Sequence, residues 1–444
     1  MGTAARPTAA TGAHTEGVVP VADLVFAFDP AIDRPIPIPM ATAAASAGAP
    51  PAIAATLARA PLEALETAAA AARQAGAAAI VVCGRLLDPR RASLAQATAV
   101  RRLVLACAAD GCRTIVITDS LKANHDLARM LGEPQGLSFV HPGAALELEV
   151  RGVPVEILSA FDPAAELGGD GAETPVVLRK RLVVGWDRGL WHGENEDPAA
   201  GSASDLPANA FSYPPALAAG EQPSGFWIWA SRRCQMLPPG VHHLPPLQPR
   251  SAAEASAGAC CRLTLVDRDP TGQGIAAPLA TWRSTWREIP TQRVGWRTIK
   301  VDSPPGGDEE LAAAIRTAME KATTDDRPPD TTVLEIVRCA VACGTSVARR
   351  IRVGEIAAET LGQVRRTHDA KAAGRWCAEV FADPTEPLGA LGHDRSGSRP
   401  GSTTSFSSAL ADIVTGIEDA DNPLIPPALA REAGWLALEL VEST

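Results

Sequence analysis

Thr114 to Leu131 reads TIVITDSLKANHDLARML, and this stretch decides how the rest of the chain is understood. Its first five residues, Thr114 to Thr118, are a β-branched run of the kind that forms a buried parallel strand, and an apolar-periodic helix is expected from Leu127 onward. Between them stands the polar triplet Asn124-His125-Asp126. An open α/β sheet collects its ligands at the carboxyl ends of its strands. On that rule the triplet is either a binding element or a plain loop in which Asn124 or Asp126 caps the next helix and His125 is solvated.

Working outward, Val19 to Phe28 reads as a first strand. The segment after it, Asp29 to Pro51, is dense in Pro and Ala and reads as a surface loop. A helix from Pro61 to Ala75, with Leu57, Leu62 and Leu65 spaced for one buried face and Gly76 as its stop, leads into the strand Ile80-Val81-Val82-Cys83. Ser93 to Ala109 is a second amphipathic helix. Strand, helix, strand, helix, strand is the α/β signature. Further on, strands are expected at Gly152 to Leu158, within Val176 to Trp186 and at Ala259 to Asp267, helices at Leu311 to Met319 and within Ser346 to Arg366, and a strand at Val333 to Val337.

Composition narrows the class. The chain has 444 residues, 46% of them hydrophobic, enough for two or three domains with real cores. A formal charge of −10 excludes broad affinity for nucleic acid and leaves only a local basic patch for that purpose. Nine cysteines occur without a CxxC or a Cys/His zinc spacing, which points to buried free thiols in a reducing cytoplasm. No apolar run approaches the ~18 residues of a membrane helix, and the first residues lack the pattern of a secretory leader.

The motif order resembles the calcineurin-like metallophosphoesterases, most closely the bacterial SbcD double-strand-break repair nucleases. Their ADLH, GDLFD, GNHD, LHG and GHxH motifs find counterparts here in ADLV (Ala22 to Val25), GRLLD (Gly84 to Asp88), ANHD (Ala123 to Asp126), Trp191-His192-Gly193 and Ala230-Ser231-Arg232-Arg233. Gln248, Arg250, Ser251 and Glu254 match a PGxxQGRSxxE segment, and Ile289 to Trp296 matches a crossover into a capping domain. The resemblance implies a four-layer α/β/β/α sandwich over residues 19–290 and a smaller α/β cap over 291–385. Pattern alone adds a disordered leader at 1–18, a linker at 386–408 and a C-terminal helical segment at 409–444.

What the resemblance implies about chemistry is a two-metal phosphodiesterase in which several ligands are missing. Asp23 takes the place of a first-metal carboxylate, Asn124 and His192 those of second-metal ligands, and His125 that of the acid protonating the leaving oxygen. Against these, Val25 stands where a histidine belongs, Arg85 where the bridging aspartate belongs, and Ser231 and Arg233 where two histidines belong. A guanidinium about 4 Å from a divalent ion is opposed by roughly 8 kcal/mol at an effective dielectric of about 20. The expected metals are manganese or magnesium, with two-ion binding weak. Arg85, Arg233 and His125 instead suggest a metal-free phosphate pocket.

Each of these residues also has a structural reading: Asp23 as a turn cap, His192 as a packing residue beside Trp191, Trp227 and Trp229 as core, Arg232 and Arg233 as a solvated edge. Two functions follow, a noncatalytic binding or complex subunit and an active phosphodiesterase or nuclease recruiting Asp119, Asp126, His242 or His243 as ligands. The partners implied are an SbcC-like coiled-coil ATPase gripped by the C-terminal helix, DNA through local basic residues, and a second copy of the chain, with no membrane.

Overall fold

The computed structural model describes residues 22–37, 49–150, 153–159, 180–186, 226–231, 241–252, 254, 257–266, 283–302, 308–325, 330–343, 345–352, 360–365, 374–383, 433 and 435–436. Over these the chain is a mixed α/β protein with three sheets. The first has six strands in the order β11-β10-β1-β2-β3-β4: Arg283–Pro290, Ala259–Val266, Ala22–Phe28, Ala79–Cys83, Arg113–Ile117 and Leu137–Val140. β1 to β4 run parallel, and β10 returns antiparallel to β1. The second sheet has the order β5-β6-β7-β8-β9: Ala145–Val150, Val153–Ser159, Lys180–Trp186, Phe226–Ala230 and Val241–Leu244.

The apolar alternation along β1 separates two cores. Leu24, Phe26 and Phe28 point with Val81, Ile115 and Ile117 into a cluster completed by Val155, Ile157, Val184 and Ile228 of the second sheet. Val25 and Ala27 point the other way, where they meet the helices. These are α1 (Pro51–Gln74), α2 (Leu94–Ala109) and α3 (Leu121–Leu131). Burial on both faces explains why β2 reads as an unbroken apolar run.

α1 begins ten residues earlier than the sequence suggests, with Pro51 at its first position and Pro61 inside it. A proline cannot donate to the carbonyl four residues back, here that of Leu57. Ile36 N takes that place, donating to Leu57 O at 3.2 Å. The helix survives its proline because a loop supplies the missing donor. α2 starts where expected, with Ser93 and Gln96 forming a reciprocal capping box, but Leu94 is exposed and lies off the buried face.

The third sheet, β12-β13-β14, comprises Val294–Asp302, Leu334–Ala342 and Arg375–Asp383, all parallel. One of its faces packs on α4 (Asp308–Asp325) and α5 (Thr345–Arg352). Trp435 is buried in the same cluster and donates its indole N–H to Ala382 O at 3.3 Å. Val294, Leu334, Ile336, Trp376 and Ala378 meet Leu57 and Ala60 of α1 and fix this sheet to the first. The leader at 1–18, the linker at 386–408 and most of 409–444 lie outside the described residues. No described helix is long and apolar enough to cross a membrane.

Candidate functional site

The carboxyl ends of the parallel strands come into line, Phe28 beside Cys83 and Cys83 beside Ile117. The second sheet opens on the same side: Pro246, just after β9, bridges to Phe28, and Leu247 N donates to Phe28 O at 2.9 Å. Between these ends lies a pocket of about 280 Å³, formed by Gly84 to Arg90 after β2, Thr118 to Ser120 after β3, the face of α3 that carries Lys122, Ala123, Asp126 and Leu127 but not Asn124 or His125, and Trp186 at the end of β7.

Its wall is built on backbone pairing. After β1 the chain continues as a strap alongside the β2 loop, with Asp29 N donating to Cys83 O, Ala31 N to Arg85 O and Ile32 N to Leu86 O at 3.0, 2.8 and 3.1 Å. Asp29 and Ala31 hold positive φ of 47° and 41°, a conformation costing non-glycine residues of order 1 kcal/mol each. Buried Arg250 anchors this strap by donating to Ala31 O at 2.7 Å and Arg34 O at 3.1 Å. Asp33 accepts from Asp88 N at 3.1 Å and so ties the strap to the β2 loop.

The pocket carries three cations, Arg85, Arg90 and Lys122, and three carboxylates, Asp88, Asp119 and Asp126. Asp88 Oδ1 accepts from Arg90 N at 3.0 Å, and Asp126 pairs with Arg129 at 3.1 Å. Ser120 caps α3 by accepting from Ala123 N, and Thr118 Oγ1 donates to Asn124 Oδ1 at 2.5 Å.

Several sequence expectations are corrected here. Asn124-His125-Asp126 is not a loop at the end of β3. It lies within the first turns of α3, because Ser120 caps the helix four residues earlier. Asn124 is buried and engaged by Thr118, and His125 is exposed on the helix. Asp23 does not meet Arg85: it lies at the amino end of β1, its carbonyl accepting from Ala78 N, and its carboxylate is buried against Arg262. Val25 is mid-strand and faces the helices, so no histidine there would reach the pocket. Arg85 does line the pocket, following Gly84, whose φ of 80° turns the chain out of β2. His192 and Arg233 lie outside the described residues, while Ser231 is fully buried at the end of β8.

Of the alternative ligands, Asp119 and Asp126 line the pocket, but the two histidines serve packing. His242 stacks on Phe226 with ring centroids 4.2 Å apart, and His243 Nε2 donates to Ser231 O at 3.2 Å. Burial lowers the pKa of both. Among the described residues no three His, Cys, Asp or Glu side chains gather as a metal would require. Trp186 has no local signal in the sequence that places it at the pocket, and the end of β1 is marked there only by the Asp29-Pro30 pair.

No family model matches this chain, and no curated protein matches it. Among solved structures, the crystal structure of TT1561 of Thermus thermophilus aligns at 15% identity, covering 55% of this chain and 94% of that chain, with a TM-score of 0.29. A superposition of that quality bears on neither the fold nor the function of this chain.

Proposed function

We propose that the chain is an SbcD-like metallophosphoesterase homologue, a four-layer sandwich with a small cap, in which the two-metal centre has given way to an anion site. It acts as a binding or complex subunit rather than a hydrolase. The observation that carries this reading is Arg85. It follows β2 at the carboxyl end of the sheet and lines the pocket together with Lys122. A parallel sheet gathers its ligand groups at this end.

The strand end also moves the motif match. The aspartate that closes β1 is Asp29, and two residues later, where the Asp-x-His spacing calls for a histidine, stands Ala31. With Arg85 in the bridging position, the described residues do not fit a two-ion centre. Arg85 and Lys122 supply a planar fork and a point charge, which suit phosphate oxygens. They bind without activating water.

Elemental analysis of protein purified without chelators, with an assay on double- and single-stranded DNA and a chromogenic phosphodiester in excess manganese, tests the proposal. The expected result is substoichiometric metal and no turnover. Two bound ions per chain, or turnover abolished by Asp119→Asn, would overturn it.

A further inference from the structure

Resting on the anion-site reading, the geometry points to a small phosphomonoester on a hydroxylated carbon skeleton, a sugar phosphate or a mononucleotide, as the ligand of the pocket between the β2 and β3 loops. A polymer is not its natural occupant.

Size is the first argument. At about 280 Å³ the pocket lies just below the ~300–1,000 Å³ range of small-molecule sites, which suits a ligand built on one sugar phosphate unit. Charge is the second. A site for a bare anion gains nothing from carboxylates, yet here Asp88, Asp119 and Asp126 share the lining with Arg85, Arg90 and Lys122. Carboxylates accept hydrogen bonds and donate none, so they favour a ligand that brings hydroxyl donors together with its negative charge. Asp88 holds Arg90 N and Asp126 holds Arg129, which leaves exposed Asp119 as the least committed acceptor for those hydroxyls.

The third argument is the wall. Trp186 reaches the pocket from the second sheet and places an aromatic residue beside the polar groups. Arg85 and Lys122 take the phosphate, Asp119 the hydroxyls, and Trp186 bounds the carbon skeleton. A phosphomonoester brings hydroxyl donors spread over a carbon skeleton together with its charge, whereas inorganic phosphate has only its own P–OH to offer the carboxylates.

Calorimetry on the full chain separates the cases, with inorganic phosphate, ribose 5-phosphate, adenosine 5′-monophosphate and adenosine as titrants. Ribose 5-phosphate or the nucleotide should bind at least about tenfold more tightly than inorganic phosphate, with adenosine weakest. Tighter binding of the nucleotide identifies it as the source, and equal binding identifies the sugar phosphate. Lys122→Gln should weaken every phosphorylated titrant by about tenfold, and Asp119→Asn only the two esters. Both side chains are exposed, so neither change threatens folding. Inorganic phosphate binding as tightly as the esters overturns this inference and leaves the anion site standing. No binding by any phosphorylated titrant overturns both.

Discussion

Arg262 on β10 reaches across to β1 and pairs with Asp23, Nη2 to Oδ2 at 2.5 Å, at the end of the sheet away from the pocket. The carboxylate is buried and the guanidinium about one-third exposed, so this is a scaffold contact joining two antiparallel strands. Breaking a fully buried pair costs about 3–5 kcal/mol, and the exposure of Arg262 reduces this to about 2 kcal/mol. Asp23→Asn should therefore lower stability by about that amount in urea denaturation and leave phosphate binding unchanged. Loss of phosphate binding at unchanged stability would return Asp23 to the site.

Stability should fall on acidification because of His242 and His243. Burial lowers both pKa values in the folded chain, so below about pH 6.5 the unfolded chain takes up protons that the native one refuses. Above that pH both states are neutral and the effect vanishes. For His243 the carbonyl of Ser231 and the carboxylate of Glu288 oppose part of the shift. Urea midpoints measured from pH 7.5 to 5 should decline, and less steeply in His242→Gln.

Gln248 is a sharper test of the architecture. Its side-chain amide donates to Pro249 O and Val294 O, both at 2.8 Å, and accepts from Arg293 N and Val294 N at 2.7 and 3.1 Å. Four bonds from one buried side chain hold the crossover where the third sheet begins. Gln248→Ala leaves those backbone groups without their partner and should cost about 3 kcal/mol. A loss below about 1 kcal/mol in chemical denaturation would show that the crossover is held by other means.

Four of the buried cysteines, Cys83, Cys260, Cys261 and Cys343, should be inert. Burial pushes Cys260 up to about 12 and Cys343 up to about 11, and raises Cys83 and Cys261 as well. Thiolate, the reactive form, is then scarce at ordinary pH. Iodoacetamide at pH 8 should leave Cys83, Cys260 and Cys261 unlabelled by peptide mass spectrometry until denaturant is added.

The fold was more legible in the sequence than the site, for a physical reason. Val81, Ile115 and their neighbours show burial through apolar continuity, and Ser93 and Gly76 mark helix ends by local chemistry, so β2, β3, α2 and the end of α1 could be read directly. Asn124-His125-Asp126 misled because a three-letter match carries no register, whereas Ser120, a better helix cap, stood just upstream. Asp23 misled in the same way: the strand runs on to Phe28, five residues past it. Trp186 comes to the pocket through the packing of two sheets, which no local pattern encodes.

The strap from Asp29 to Asp33 is held by strand-like backbone bonds, by Arg250 and by the Asp33 carboxylate, none of which is a side chain lining the pocket. The consequence is evolutionary. A lineage can exchange the side chain at Arg85 while the backbone bonds of the strap go on holding the β2 loop, so at that position selection on chemistry and selection on foldedness act on different atoms. A catalytic centre in such a frame can decay, or turn to a new ligand, one substitution at a time, with a folded protein at every step.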